Sequence, residues 1–214
     1  MPLIETLRER GRRYFWYGAV PFFWVTTSSI FINDNIIELT DITGSSMSPT
    51  LSPDYHTTKR CDWVLWWKWM PAQRLRRGDL VHFGSPVNPE DNAVKRVLAL
   101  EGDVVVLDPR RRPKRARDGV DVPESRSWDA WEGRARVPKG HVWVEGDNWR
   151  KSSDSNWYGP IAKNLITGKA VAVVLPFSKI GGRPWEGVKS RTRVVPGKIR
   201  EIRDVDEELL ETAG

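Results

Sequence analysis

From Tyr14 to Ile32 the chain runs for nineteen residues without a charged side chain, YFWYGAVPFFWVTTSSIFI. As an α-helix such a run spans about 28 Å, against a bilayer hydrocarbon core of roughly 30 Å. It must therefore cross a membrane, be buried inside a globular domain, or be a signal that is cut away. Arg8, Arg10, Arg12 and Arg13 precede the run and Asp34 and Glu38 follow it. That asymmetry leaves the N-terminus on the cytoplasmic or matrix side and the bulk of the chain across the bilayer. No small-x-small cleavage site follows the run and no later apolar span replaces it, so a retained anchor over 14–32 is expected. Pro21 and the cluster Thr26, Thr27, Ser28, Ser29 dilute its hydrophobicity and keep a buried globular helix as the rival. Within a membrane helix Pro21 removes one backbone donor and bends the axis.

Beyond Asn35 the pattern changes to short apolar or alternating runs parted by Pro, Gly and Asp, the pattern of strands joined by turns. The expected strands are Ile36 to Ile42, Trp63 to Trp69, Asp79 to Phe83, Ala93 to Leu100, Val104 to Leu107, His141 to Glu145 and Lys169 to Leu175. No long amphipathic helix is evident after the N-terminal run. A mostly β core follows, bent and partly closed, because short strands must protect their edges. Three parts are expected: residues 1–35 with the anchor, a catalytic domain over 36–185, and a charged tail over 186–214. A polar, strongly basic insertion over 108–136 interrupts the domain, and the tail ends in a loosely held acidic stretch. The net charge of +6 would suit an anionic membrane, nucleic acid or an ordinary solvated surface. Cys61 is the sole cysteine, which excludes an internal disulfide and any metal site built on cysteines.

Two places carry chemistry. Gly44 to Thr50 (GSSMSPT) directly follows an expected strand, where a serine among small residues exposes its hydroxyl beside backbone N–H groups. Alone, such a cluster is most often a turn, and serine needs a base to act as a nucleophile. The bases on offer are His56, His82, His141 and the lysines. Lys95 stands out because it lies inside the apolar strand Ala93 to Leu100, and period-two alternation puts it on one face with Ala93, Val97 and Ala99. A lysine with its ordinary pKa near 10.4 is neutral only about one part in a thousand at pH ~7.4. Desolvation favours the neutral amine, at about 1.4 kcal/mol of folding stability for each unit of depression. The competing reading is a strand lysine whose ammonium snorkels to water.

Four ordered blocks of this sequence resemble the type I signal peptidase family. Ser46 to Thr50 resembles its nucleophile box, Arg77 to Phe83 its second strand block, and Lys95, Arg96, Val97 with Gly102 and Asp103 its lysine box. Gly146, Asp147 and Asn148, followed by Ser152, Asp154, Ser155 and Gly159, resemble its last box. The resemblance covers residues 44–159. It implies a signal-peptidase-like β fold and a serine endopeptidase in which neutral Lys95 takes the Ser46 proton and later activates the deacylating water. It further implies that the Ser46 N–H serves the oxyanion, with Ser45 a candidate second donor because Gly44 stands where some members carry a serine. By the same resemblance Ser152 orients the Lys95 amine, Asp147 pairs with Arg96 to brace the strand, and the histidines are not catalytic. No cofactor or metal is implied.

Where the family's last box usually reads Asp-Ser-Arg, this chain has Asp154, Ser155 and Asn156, so no Asp154 to arginine pair forms there. That wording, the single anchor and the short length are most similar to the mitochondrial branch, the inner membrane proteases, in its subunit 2 type. The resemblance then implies residence in the inner membrane with the catalytic domain in the intermembrane space. It also implies precursor proteins as substrates and a homologous subunit 1 as partner, with the lipid bilayer and without nucleic acid. Alternatives are a bacterial-type signal peptidase, a related self-cleaving repressor, and a membrane-tethered binding module using the basic run Arg110 to Arg117. The repressor would need a helix-turn-helix where this chain has its apolar run.

Overall fold

The structure, a computed structural model, describes residues 2–88, 90–107 and 133–197, with side chains from residue 16 onward. It begins with helix α1, Pro2–Asn35, which passes into strand β1, Ile37–Ile42, through a hydrogen bond from the Ile36 N–H to the Ile32 carbonyl. Pro21 lies inside α1, and the Thr26 and Ser29 hydroxyls donate back to the Phe22 and Val25 carbonyls, which hides part of their polarity. Even so, among the described residues no helix is long and apolar enough to cross a membrane. The anchor expected over 14–32 falls short because Pro21, the Thr-Thr-Ser-Ser cluster and the polar edges of Trp16, Tyr17 and Trp24 thin its apolar content.

After β1 come β2 (Asp62–Trp67), β3 (Leu80–Gly84), β4 (Asn92–Ala99), β5 (Val104–Val106), β6 (Arg134–Arg136), β7 (His141–Glu145), β8 (Ile161–Ala162), β9 (Ile166–Leu175) and β10 (Arg193–Val195). Two single-turn helices, α2 (Tyr55–Thr58) and α3 (Ser155–Tyr158), lie in the connections. One antiparallel sheet has the order β1-β2-β9-β3-β4-β7-β8, and a second has the order β10-β5-β6. Register shifts interrupt the β2–β9, β3–β9 and β4–β7 pairings, which bends the large sheet as bulges do.

Alternation sends successive residues to different cores. Leu80 packs with Met47, Leu51, Val64, Trp66 and Val173 on one face, while Val81 and Phe83 join Val97, Val144 and Ile166 elsewhere. A third cluster, with Leu98, Ala99, Val105, Ala135 and Trp143, fills the space toward the smaller sheet. The sheet is thus covered on both faces, and β4 reaches all three clusters or their margins.

Three elements lie outside the expected strands: β6, β8 and β10. Residues 134–136, assigned to the insertion, pair with β5, and Ala135 is fully buried. Residues 193–195, assigned to the tail, pair with β5 from its other side. The basic run Arg110 to Arg117 and the acidic stretch at the C-terminus fall outside the described residues.

Candidate active site

The turn carrying Ser46 leaves β1 through Gly44, whose φ of +92° is costly for any residue with a Cβ. Ser48 N–H donates to the Ser45 carbonyl at 3.2 Å and Leu51 N–H to the Met47 carbonyl at 3.0 Å. Met47 and Leu51 are buried in the first core, so the turn is pinned from beneath while Ser46 remains half-buried at its surface. A second tie comes from the last box, where Asn148 N–H donates to the Ser46 carbonyl at 2.9 Å.

Lys95 projects from β4 and is only 5% exposed. Its Nζ donates to Ser46 Oγ at 3.1 Å and to the Val94 carbonyl at 3.2 Å, spanning 49 positions of sequence in the first case. Burial holds the amine below the usual lysine range, and the charge of Asp154 partly opposes that shift. Among the described residues no carboxylate hydrogen-bonds Nζ. A neutral amine at this distance can accept the serine proton as the hydroxyl attacks a carbonyl.

Beside it, Arg96 is 2% exposed. Its Nε and Nη2 donate to the two Asp147 oxygens at 2.8 and 2.7 Å, and Thr50 Oγ1 donates to the same carboxylate. Its Nη1 donates to the carbonyls of Gly78 and Trp185, at 3.2 and 2.7 Å. One guanidinium therefore ties together the lysine strand, the last box, the nucleophile turn and the start of the C-terminal segment.

Ser152 is placed differently from the expectation. Its hydroxyl is buried without a hydrogen-bond partner among the described residues and makes no hydrogen bond to Lys95 Nζ. The turn closed by Lys151 N–H to the Asn148 carbonyl sets Ser152 against Gly146 instead, where Oγ lies 2.2 Å from the point a Cβ would occupy. The Ser46 carbonyl lies 2.7 Å from that same point, so Gly146 lets the last box approach the nucleophile turn. Asp154 is buried, accepts from Gly146 N–H at 3.0 Å, and caps α3 through Asn156 N–H. Asn156 Nδ2 also donates to it at 3.0 Å, in the position where an arginine was ruled out. Burial raises the Tyr158 phenol, and Asp154 raises it further, so Tyr158 stays protonated.

Ser45 supplies its carbonyl to the turn, and its hydroxyl makes no hydrogen bond among the described residues. None of the histidines touches Ser46: His82 Nδ1 meets Thr167 Oγ1, His141 Nδ1 meets the Lys139 carbonyl, and His56 is exposed on α2. Sequence reasoning missed Thr50 and the Trp185 carbonyl as partners of the Arg96–Asp147 pair. Neither has a local signal, since their contacts span 97 and 89 positions.

Residues 16–175 match the family model described as signal peptidase, peptidase S26. The chain is 37% identical over 169 residues to mitochondrial inner membrane protease subunit 2 of Schizosaccharomyces pombe, covering 79% of this chain and 82% of that protein. It is 34% identical over 174 residues to the same subunit of Saccharomyces cerevisiae, covering 80% and 86%. It is 41% identical over 107 residues to mitochondrial inner membrane protease subunit 1 of Mus musculus, covering 50% and 54%. With a family match over most of its length and relatives above 30% identity along four-fifths of it, the chain belongs to the signal peptidase family of serine endopeptidases, peptidase S26.

Proposed function

We propose that this peptidase removes sorting presequences from proteins delivered to the mitochondrial intermembrane space, with Ser46 as nucleophile and Lys95 as general base. The observation that carries the reading is a buried amine with no carboxylate partner, 3.1 Å from a half-buried serine hydroxyl. Neutral Lys95 accepts the proton as Ser46 Oγ bonds to the scissile carbonyl carbon. Collapse of the tetrahedral adduct expels the amine of the mature chain, which takes that proton, and leaves an acyl-serine. Lys95 then deprotonates water, which attacks the ester and frees the presequence. The Ser46 N–H, which has no acceptor among the described residues, is available to the oxyanion.

The membrane part of the reading rests on α1. Trp16, Tyr17, Phe22, Phe23, Trp24, Val25, Ile30 and Phe31 are all exposed along it, an apolar surface that lipid would cover. Single-pass insertion, with the basic N-terminus in the matrix and the catalytic domain in the intermembrane space, follows from the arginines before it. A homologous subunit 1 is the proposed partner, supported by relatives that bear the names of both subunits.

The test compares precursors in cells carrying the wild-type, Ser46→Ala or Lys95→Ala chain, with cut sites read from mature N-termini. Both variants should be membrane-bound, folded and inactive, and wild-type kcat/KM should fall as pH drops through the depressed lysine pKa. Processing retained in either variant, or a rate flat down to pH ~5, overturns the assignment.

A further inference from the structure

A cleft of about 510 Å³ opens beside the nucleophile turn, with Ser48 and Pro49 in its wall. The segment Lys189, Ser190, Arg191 forms another lip, and Trp149 and Arg150 also line the cleft. That lip is fixed at both sides. Thr192 Oγ1 donates to Glu145 at 2.8 and 3.0 Å, β10 pairs with β5, and Gly197 N–H donates to Asp103 at 3.0 Å. Upstream, the Trp185 carbonyl is held by Arg96.

The charges of the cleft do not cancel. Asp147 is committed to Arg96, and the Glu145 oxygens accept from Trp143 Nε1 and Thr192 Oγ1. Arg150, Lys189 and Arg191 are exposed and form no ion pair with any described residue. The wall thus offers three cations without an ion-pair partner among the described residues, Arg150 also lying over the Trp149 ring at 5.1 Å, along a concave surface, the arrangement that attracts carboxylates. β1 is an edge strand, paired only with β2, so an extended substrate can lie along its free side and reach Ser46. A substrate continuing past Ser46, at about 3.3 Å per residue, would bring its next few residues to Ser48 and Pro49 in the cleft wall.

We propose that this cleft is a subsite for acidic side chains a few residues to the mature side of the scissile bond, a selectivity built on top of the Ser46/Lys95 reading above. Peptides sharing one presequence half are compared with the full-length chain in detergent, carrying two Asp, or two Asn, in the first four residues after the cut. The Asp peptide should be cleaved with about five- to tenfold higher kcat/KM at low salt, and the ratio should shrink toward one in 0.5 M NaCl. Moving the two Asp to the presequence side should abolish the gain. Lys189→Glu with Arg191→Glu should bring the ratio to one or below, while the equally large charge change Arg134→Glu with Arg136→Glu on β6 should leave it intact.

Equal cleavage of both peptides by the wild type, the same gain from either side of the cut, or a preference that survives reversal of the lip overturns the proposal. If the double reversal does not fold, Lys189→Gln and Arg191→Gln singly must each lower the ratio, and failure of both to do so counts the same way. Ser46→Ala separates this result from the broader reading. Cleavage that vanishes in Ser46→Ala but shows no charge preference sinks the subsite alone, whereas cleavage that persists in Ser46→Ala sinks the dyad.

Discussion

Lys95→Met should inactivate the enzyme and make it more stable. Lys95 is only 5% exposed, its amine has a hydroxyl and a carbonyl as its hydrogen-bond partners among the described residues, and the opposing charge of Asp154 is already engaged by Gly146 and Asn156. Holding the folded-state pKa below the unfolded value costs about 1.4 kcal/mol for each unit of depression. Methionine keeps the length and flexibility of the side chain without the ionisable end, so the variant avoids that cost. For a domain of this size each kcal/mol moves Tm by roughly 2 to 4 °C. The sign with pH follows from the direction of the shift. Above the unfolded lysine pKa both states are neutral and the penalty is absent. As pH falls the unfolded chain binds the proton first, and the penalty grows until pH passes below the folded pKa. Urea unfolding of the wild type and Lys95→Met between pH 6 and 11 checks this. The variant should lead at neutral pH, and the gap should close toward pH 10.5. A variant that is less stable at pH 7, or a gap indifferent to pH, refutes the claim that this amine is desolvated at a cost.

Asp147→Ala should lose about 3 to 5 kcal/mol, because it strands the Arg96 guanidinium, only 2% exposed, with two carbonyls for company. Chemical denaturation measures that loss, and a change under 1 kcal/mol would show the pair to be dispensable. Gly146→Ala should reduce kcat at least about tenfold, since its Cβ would fall 2.7 Å from the Ser46 carbonyl as well as 2.2 Å from Ser152 Oγ. Adding Ser152→Ala should not restore the rate, because the backbone contact and the Ser152 Cβ at 2.6 Å remain. Full rescue in steady-state assays would show that the hydroxyl alone set the constraint.

Much was legible from local pattern. β4 could be read because apolar residues flank Lys95 and Arg96 on both sides, and period-two alternation of faces singled out Lys95 as a lysine sharing a face with Ala93, Val97 and Ala99. The ordered blocks carried the family, since each keeps its chemistry within a few consecutive residues. The short strands were not legible. β8 has two residues, and β6 and β10 have three each, rich in arginine. β6 and β10 become strands because β5 offers both its edges, and β8 because β7 does, an outcome decided by partners far off in sequence. In the N-terminal run the absence of charge is visible along the chain, while Pro21 and the Thr-Thr-Ser-Ser cluster lower the apolar sum over the helix.

The chain alone determined which groups were present: a serine in a small-residue turn, a lysine in an apolar strand, an arginine beside it and an aspartate in a glycine-rich box. Only the tertiary structure decided who meets whom. It set Nζ 3.1 Å from Oγ, set Ser152 against Gly146, and drew Trp185 and Thr192 back over β4 and β7. The physical reason is that hydrogen-bond reach is a few ångströms while the partners of Lys95, Arg96 and Glu145 lie 47 to 89 residues away, and only the register of a bent sheet fixes distances on that scale.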